Sequence, residues 1–262
     1  MMTDPHEVPA VTLTGDVVMP MVGFGTWPMH GHQAGAATLE ALRAGYRHID
    51  TATMYANEDE VGHAVRDSGV PRTEVFLTTK LRASDAGRLE QVLTASLRAL
   101  GTDYLDLWLI HWPPRGRASV QAWQEMIALR DKGLVRAIGV SNYSLPLIDE
   151  LINATAEAPA VNQIHWNPRR YDGDLLEALR RRGVVVEGYS PLKDTNLRDK
   201  VLTEIARAHG VTPAQVVLRW HLDHGIVVIP KSANPARIAS NLDLFGFALE
   251  PQEIARIDAL GA

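Results

Sequence analysis

The sequence predicts a closed (β/α)8 barrel of the TIM type, with a short N-terminal hairpin and two extra helices. Three observations point there. Eight short Val/Ile/Leu-rich runs recur along 262 residues, with helix-like segments between them. The length matches the roughly 250 residues that such a barrel takes as one domain. Chemistry-bearing residues fall at or just past the C-terminal ends of several runs, where this fold gathers its active site. An open doubly wound sheet is the alternative fold. No Pro/Gly/Ser-rich linker or change of composition divides the chain, so residues 1–262 are read as a single domain.

Residues 10–19 read as a hairpin with Gly15-Asp16 as its turn. The strand runs follow near 22–26, 46–50, 75–80, 105–111, 135–141, 160–165, 184–190 and 226–230. ATLEALRAG, LEQVLTASLRALG, VQAWQEMIALRDKG and LLEALRRRG carry apolar residues at spacings of three and four, and each closes on glycine. Extra helices are expected within 197–223 and at 251–260. His221 and His224 are expected on a helix exterior.

Hydrophobic residues make up 46% of the chain, enough for a large core. A net charge of −5 argues against a nucleic-acid surface. With no cysteine there are no disulfides, no thiol catalysis and no Cys-ligated zinc. The opening MMTDPHEVPA has no apolar region of a secretory signal, and no stretch approaches the ~20 apolar residues of a membrane helix. The expectation is a cytoplasmic monomer acting on a small molecule, with no nucleic-acid or membrane partner.

Asp50, Tyr55, Lys80 and His111 are the leading catalytic candidates. They end or follow the runs HIDTATMY, VFLTTK and LDLWLIH. A phenol keeps its proton to a pKa of about 10. A neighbouring ammonium favours the phenolate and so makes the phenol a better acid. A carboxylate would hold that ammonium, and a histidine would help orient a carbonyl oxygen. Trp27 and Trp112 flank these residues as a possible apolar substrate wall, with core packing as the plainer alternative.

Other motifs are weighed against plainer readings. Gly23-Phe24-Gly25-Thr26-Trp27-Pro28 begins like a dinucleotide fingerprint, but Pro28 replaces the third glycine. The glycines are read as letting the backbone turn tightly at the barrel mouth. Tyr189 and Lys193 have the spacing of a Tyr-x-x-x-Lys pair, yet Pro191 lies between them, so no functional role is assigned to Lys193. Tyr189 ends a strand, where an aromatic can stack on a flat ring. His30 and His32 suggest a metal-dependent barrel hydrolase, but Lys231 at the last strand end opposes a metal, and none is expected. In Ile229-Pro230-Lys231-Ser232-Ala233-Asn234-Pro235, Asn234 reads as an N-cap and Pro235 as the first helical residue. Free N–H groups there, with Lys231 and Arg237, suit a phosphate. Ser141, Asn142 and Gln163 could hydrogen-bond a carboxamide.

The segments GFGTW, HIDTATMYANEDEVG, FLTTKL, LDLWLIHWP, RAIGVSNY, VNQIHWNP, GYSPL and IPKSANPARIASN together resemble the aldo-keto reductases over nearly the whole chain. The bacterial 2,5-diketo-gluconate and methylglyoxal reductase-like members are the most similar subgroup. The resemblance implies NADPH-dependent reduction of aldehydes and ketones. It makes Tyr55 the general acid, with Lys80 lowering its pKa, Asp50 pairing with Lys80, and His111 orienting the carbonyl. It places Gly25, Thr26, Trp27, Asp50, Ser141, Asn142, Gln163, Tyr189, Ser190, Leu192, Lys231, Ser232, Arg237 and Asn241 around NADPH/NADP+. Trp27, Tyr55, His111 and Trp112 would face the substrate. A cofactor-sensing, non-catalytic protein of the same fold is the alternative. After GYSPL, Lys193-Asp194-Thr195-Asn196 replaces a glycine-rich belt that often covers the pyrophosphate. Asn234 and Ser240 stand where relatives carry arginine and glutamate, which implies a weaker NADPH preference. The short chain end at Ala262 leads to an expected open, broadly accepting pocket.

Overall fold

The computed structural model describes residues 8–261; most of the N-terminal segment read for a secretory signal, and Ala262, lie outside them. β1 (Ala10–Leu13) and β2 (Val17–Pro20) form the expected antiparallel hairpin. Its turn holds Gly15 at φ 81° and Asp16 at φ 59°. Such a turn suits glycine and aspartate, which tolerate left-handed backbone. Leu13 and Met19 of the hairpin are buried against Phe76, Leu107, Leu109, Ala137 and Val161. The hairpin therefore plugs one end of the barrel.

Eight parallel strands follow. They are β3 (Phe24–Gly25), β4 (His48–Asp50), β5 (Phe76–Leu81), β6 (Leu105–Ile110), β7 (Val135–Ser141), β8 (Val161–His165), β9 (Val185–Tyr189) and β10 (Val227–Val228). Each pairs with its chain neighbour. The two sheet ends meet through a Val22–Val228 bridge, with Gly23 N donating to Val228 O at 2.9 Å and Gly25 N to Pro230 O at 3.1 Å. Sequential order with joined ends is a closed barrel; a doubly wound sheet would reverse direction partway.

Between and after the strands lie α1 (Gly31–Arg43), α2 (Glu58–Asp67), α3 (Leu89–Leu100), α4 (Ala118–Asp131), α5 (Leu145–Thr155), α6 (Gly173–Arg180), α7 (Lys200–His209), α8 (Pro213–Asp223), α9 (Pro235–Leu242) and α10 (Pro251–Asp258). The stretch 197–223 holds two helices, a crossover and the expected extra one. α10 supplies the second. Among the described residues no helix is long and apolar enough to cross a membrane.

His221 departs from expectation. It is fully buried rather than on a helix exterior, with Nδ1 2.7 Å from Val217 O and Nε2 3.2 Å from Trp166 O. The α8 face that carries it packs onto the sheet, where Gly188 leaves room for the ring.

Strand alternation decides what enters the lumen. On β5, Phe76 joins the inner cluster and Leu77 the outer one. Thr78 and Lys80 share the inward parity of Phe76. The same parity turns His48 and Asp50, Gln163, and Glu187 and Tyr189 inward from β4, β8 and β9. The lumen is thus apolar at the hairpin end and polar toward the C-terminal strand ends.

Candidate active site

Asp50, the last residue of β4, is 1% exposed, and Lys80 of β5 is 0% exposed. Lys80 Nζ donates to Asp50 Oδ1 at 2.6 Å, to Thr51 O at 2.9 Å and to the Tyr55 hydroxyl at 3.2 Å. The three donations use all three ammonium protons, so the lysine cannot swing. Tyr55 sits on a single 3-10 turn (Thr53–Tyr55) closed by Ala56 at φ 50°. That turn is tied down from both sides. Thr53 Oγ1 donates to Lys80 O at 3.0 Å, and His30 Nδ1 lies 2.9 Å from Tyr55 O. Beyond it, Asn57 accepts from Thr51 Oγ1 at 2.6 Å and donates to Met29 O at 2.8 Å.

Burial pushes the Tyr55 phenol above its ordinary value, and Lys80 pulls it back. The lysine thus acts in the expected direction but does not outweigh burial. Lys80 itself is held above the usual lysine range: burial opposes its charge, while Asp50 and Tyr55 more than restore it. Burial, with Lys80 nearby, takes His111 down to about 3, so its ring is neutral at pH 7. The His111 and Tyr55 rings meet edge to face at 5.6 Å. A phenol so placed can release a proton toward a group in the cavity and leave its negative charge beside an ammonium.

Gly25, Thr26, Trp27, Asp50, Tyr55, His111, Trp112, Asn142, Gln163, Tyr189, Ser190 and Lys231 line one cavity of about 330 Å3. Lys80 lies directly behind Tyr55. Thr26 is buried and donates to Asp50 O at 3.0 Å. Trp27 and Trp112 are 54% and 49% exposed, so they form a mouth rather than core. Ser141 is behind the wall, its hydroxyl donating to Gln163 O at 2.8 Å. Asn142 Nδ2 donates to His111 O and Ser141 Oγ, and its Oδ1 accepts from the Tyr189 hydroxyl at 2.9 Å. Gln163 Nε2 donates to Asp50 Oδ2 and to Glu187 Oε2, both at 2.8 Å. Its Oε1 is left free on the cavity side. Tyr189 ends β9 with His165 stacked on it at 5.4 Å.

Five expected cofactor residues do not line the cavity: Ser141, already placed behind the wall, and four others. Leu192 is packed against the core, and Asn241 is buried in α9. Ser232 accepts from Asn234 N at 3.0 Å, and Arg237 is exposed on the first turn of α9. Asn234 does cap that helix, accepting from Arg237 N at 3.1 Å.

Two sequence readings are corrected here. Gly23 and Gly25 are not turn residues. A Cβ on Gly23 would lie 2.5 Å from the His48 ring, and one on Gly25 2.9 Å from Ile229 O. Both are glycine for close approach. Lys193, given no role, lines the cavity through the turn Ser190–Lys193, whose Lys193 N donates to Ser190 O at 3.1 Å. Met54 and Ile229 line it too and were not anticipated; Met54 immediately precedes Tyr55, its one sequence signal. Among the described residues, no group of three His, Asp or Glu is placed to hold a metal.

The model of the "Aldo/keto reductase family" matches residues 21–262. An aldo-keto reductase of Mycolicibacterium smegmatis is 46% identical over 256 residues, covering 96% of this chain and 93% of its own. Methylglyoxal reductase DkgA of Yersinia pestis is 40% identical, covering 96% and 92%. The crystal structure of an aldo/keto reductase from Brucella melitensis superposes with a TM-score of 0.94 at 41% identity, over 97% of this chain and all of that one. A Bombyx mori aldo-keto reductase in complex with NADP superposes at 0.92, with 34% identity over 97% and 93%. The chain belongs to the aldo-keto reductase family.

Proposed function

We propose that the protein reduces aldehydes and ketones to alcohols with NADPH, and that Tyr55 is the proton donor. The observation that carries this is the position of Lys80 Nζ, 2.6 Å from Asp50 Oδ1 and 3.2 Å from the Tyr55 hydroxyl at the cavity floor. The NADP complex of the Bombyx mori relative supports the cofactor.

The residues present fit a nicotinamide cofactor. Gln163 Oε1 is a free acceptor for an amide N–H, and Tyr189 offers a ring in the cavity. Lys231 and Arg237 are exposed at the α9 N-terminus, where the two cations and the positive end of the helix would hold a phosphate. NADPH, when bound, supplies the hydride. The protein's own part is to orient a carbonyl oxygen between the Tyr55 hydroxyl and the neutral His111 ring. The Tyr55 proton passes to that oxygen as negative charge develops on it. Lys80, fixed by Asp50, holds the resulting tyrosinate until a solvent proton restores it. Trp27, Met54 and Trp112 present apolar surface to the rest of the substrate.

Loss of NADPH absorbance with a panel of aldehydes and 1,2-dicarbonyls tests this. Turnover by the wild type that Tyr55→Phe cuts by orders of magnitude is expected. NADPH binding without turnover of any carbonyl would overturn the reading.

A further inference from the structure

Beneath the cavity lies a second carboxyl group that the proposed reaction does not use. Glu187 is 0% exposed in the middle of β9. Its Oε2 accepts from Gln163 Nε2 at 2.8 Å. Its Oε1 is buried with no hydrogen-bond partner, and His48 Nε2 lies 3.5 Å from it.

The tautomer of His48 decides the charge of this pair. His48 Nδ1 lies 3.2 Å from Pro20 O, a carbonyl that can only accept, so Nδ1 carries the hydrogen. Burial takes His48 down to about 3, so the ring is neutral and Nε2 is a bare lone pair. Thr78 Oγ1, at 3.3 Å, is the other group at that nitrogen. An ionised Glu187 would thus set an unpartnered, buried oxyanion against a lone pair, with every donor already used. A protonated Oε1 instead turns the same contact into a donor facing an acceptor.

We propose that Glu187 is a positioning residue for the candidate site: as a neutral acid facing the His48 lone pair, it anchors Gln163 with its Oε1 toward the cavity and keeps a second negative charge away from Lys80 and Tyr55. Gln163 has two N–H groups, and Asp50 and Glu187 accept one each. Losing either acceptor frees the amide to turn over. This rests on the reading that Gln163 and Tyr55 serve an NADPH-dependent reduction.

The groups facing Glu187 agree. His48 and Asp50 come from β4, Lys80 and Thr78 from β5, and Gln163 from β8, while the β10 partner strand contributes only valines. Burial first, then Asp50, pushes Glu187 up to about 8, against the pull of Gln163 and Lys80. Burial raises Asp50 as well, but of the two carboxyls it is the one with the ammonium at 2.6 Å, which favours its charged form. When Glu187 does ionise, its charge raises Tyr55 further and makes it a weaker acid.

Glu187→Gln tests the proposal, because an amide can accept from Gln163 and donate to His48 just as the neutral acid does. Two readouts are taken. In the first, kcat/KM for carbonyl reduction is followed from pH 6 to 10. The wild type should fall off from about pH 8. Glu187→Gln should match it at pH 6 and hold its plateau longer, with a relative gain of roughly threefold or more at pH 9. Glu187→Leu should raise the KM for NADPH at every pH, since Gln163 loses an anchor.

The second readout needs no turnover. A carboxyl near 4.5 unfolded and about 8 folded contributes stability that is full below 4.5 and lost as pH rises toward 8. The melting temperature of Glu187→Gln relative to wild type should therefore climb between pH 5 and pH 8. A constant difference over that range, or failure of Glu187→Gln to fold, would overturn the proposal. So would identical pH–rate profiles. If no variant turns over any carbonyl, the reductase reading fails, and the melting series still decides the state of Glu187.

Discussion

Replacing Lys80 with methionine removes one buried charge and leaves the other. Asp50 is then a carboxylate with only the Gln163 donor at 2.8 Å, and Thr51 O loses its donor as well. Breaking a buried ion pair from one side costs about 3–5 kcal/mol. For a domain of this size, each kcal/mol moves the melting temperature by roughly 2–4 °C, so Lys80→Met should melt about 6–20 °C below wild type at pH 7. The stranded carboxyl has a folded pKa raised above the unfolded value of about 3.9, so its penalty grows as pH rises and fades in acid. The deficit should therefore narrow toward pH 4. The double variant Asp50→Asn/Lys80→Met removes both charges and should recover most of the loss. Melting curves by circular dichroism at pH 4 and pH 7 read all of this. A deficit that does not change with pH, or a double variant no better than the single, would refute the claim that Asp50 and Lys80 form a buried charge pair.

Two further outcomes follow from the same geometry. Gly23→Ala sets a Cβ 2.5 Å from the His48 ring and should cost about 1–3 kcal/mol by overpacking; an unchanged melting temperature would mean the ring yields freely. Lys231→Ala should weaken NADPH about tenfold and leave NADH nearly unchanged, because a charge-assisted contact to the extra phosphate is lost; equal losses in fluorescence titrations would contradict that role.

Much of this architecture is legible in the sequence because the barrel repeats one unit. Each strand run ends where a loop begins, so Asp50, Lys80 and His111 are placed by counting along their own segments. Tyr55, five residues past Asp50, needs only the short turn that follows. What the sequence hides is set by pairs of distant segments. Gly23 and Gly25 read as turn formers, yet their need is space against His48 and Ile229, which arrive from elsewhere in the chain. His221 lies on a helix, and which face of that helix docks on the sheet is a tertiary matter. Lys193 comes to the cavity through a local turn that the Tyr189 spacing alone does not describe. Glu187 did leave a signal: a carboxylic acid inside the apolar run VVVEGY demands buried partners. Naming those partners as His48 and Gln163 required the barrel's register.

The most direct test of the central claim is a single turnover of NADPH-loaded protein with a reactive aldehyde, comparing wild type with Tyr55→Phe. Equal NADPH affinity by fluorescence quenching is expected, with a hydride-transfer rate lower by roughly 10²–10⁴-fold in the variant. A Tyr55→Phe rate within a few-fold of wild type would mean that the carbonyl oxygen takes its proton from another group, and the role assigned to Tyr55 would fall.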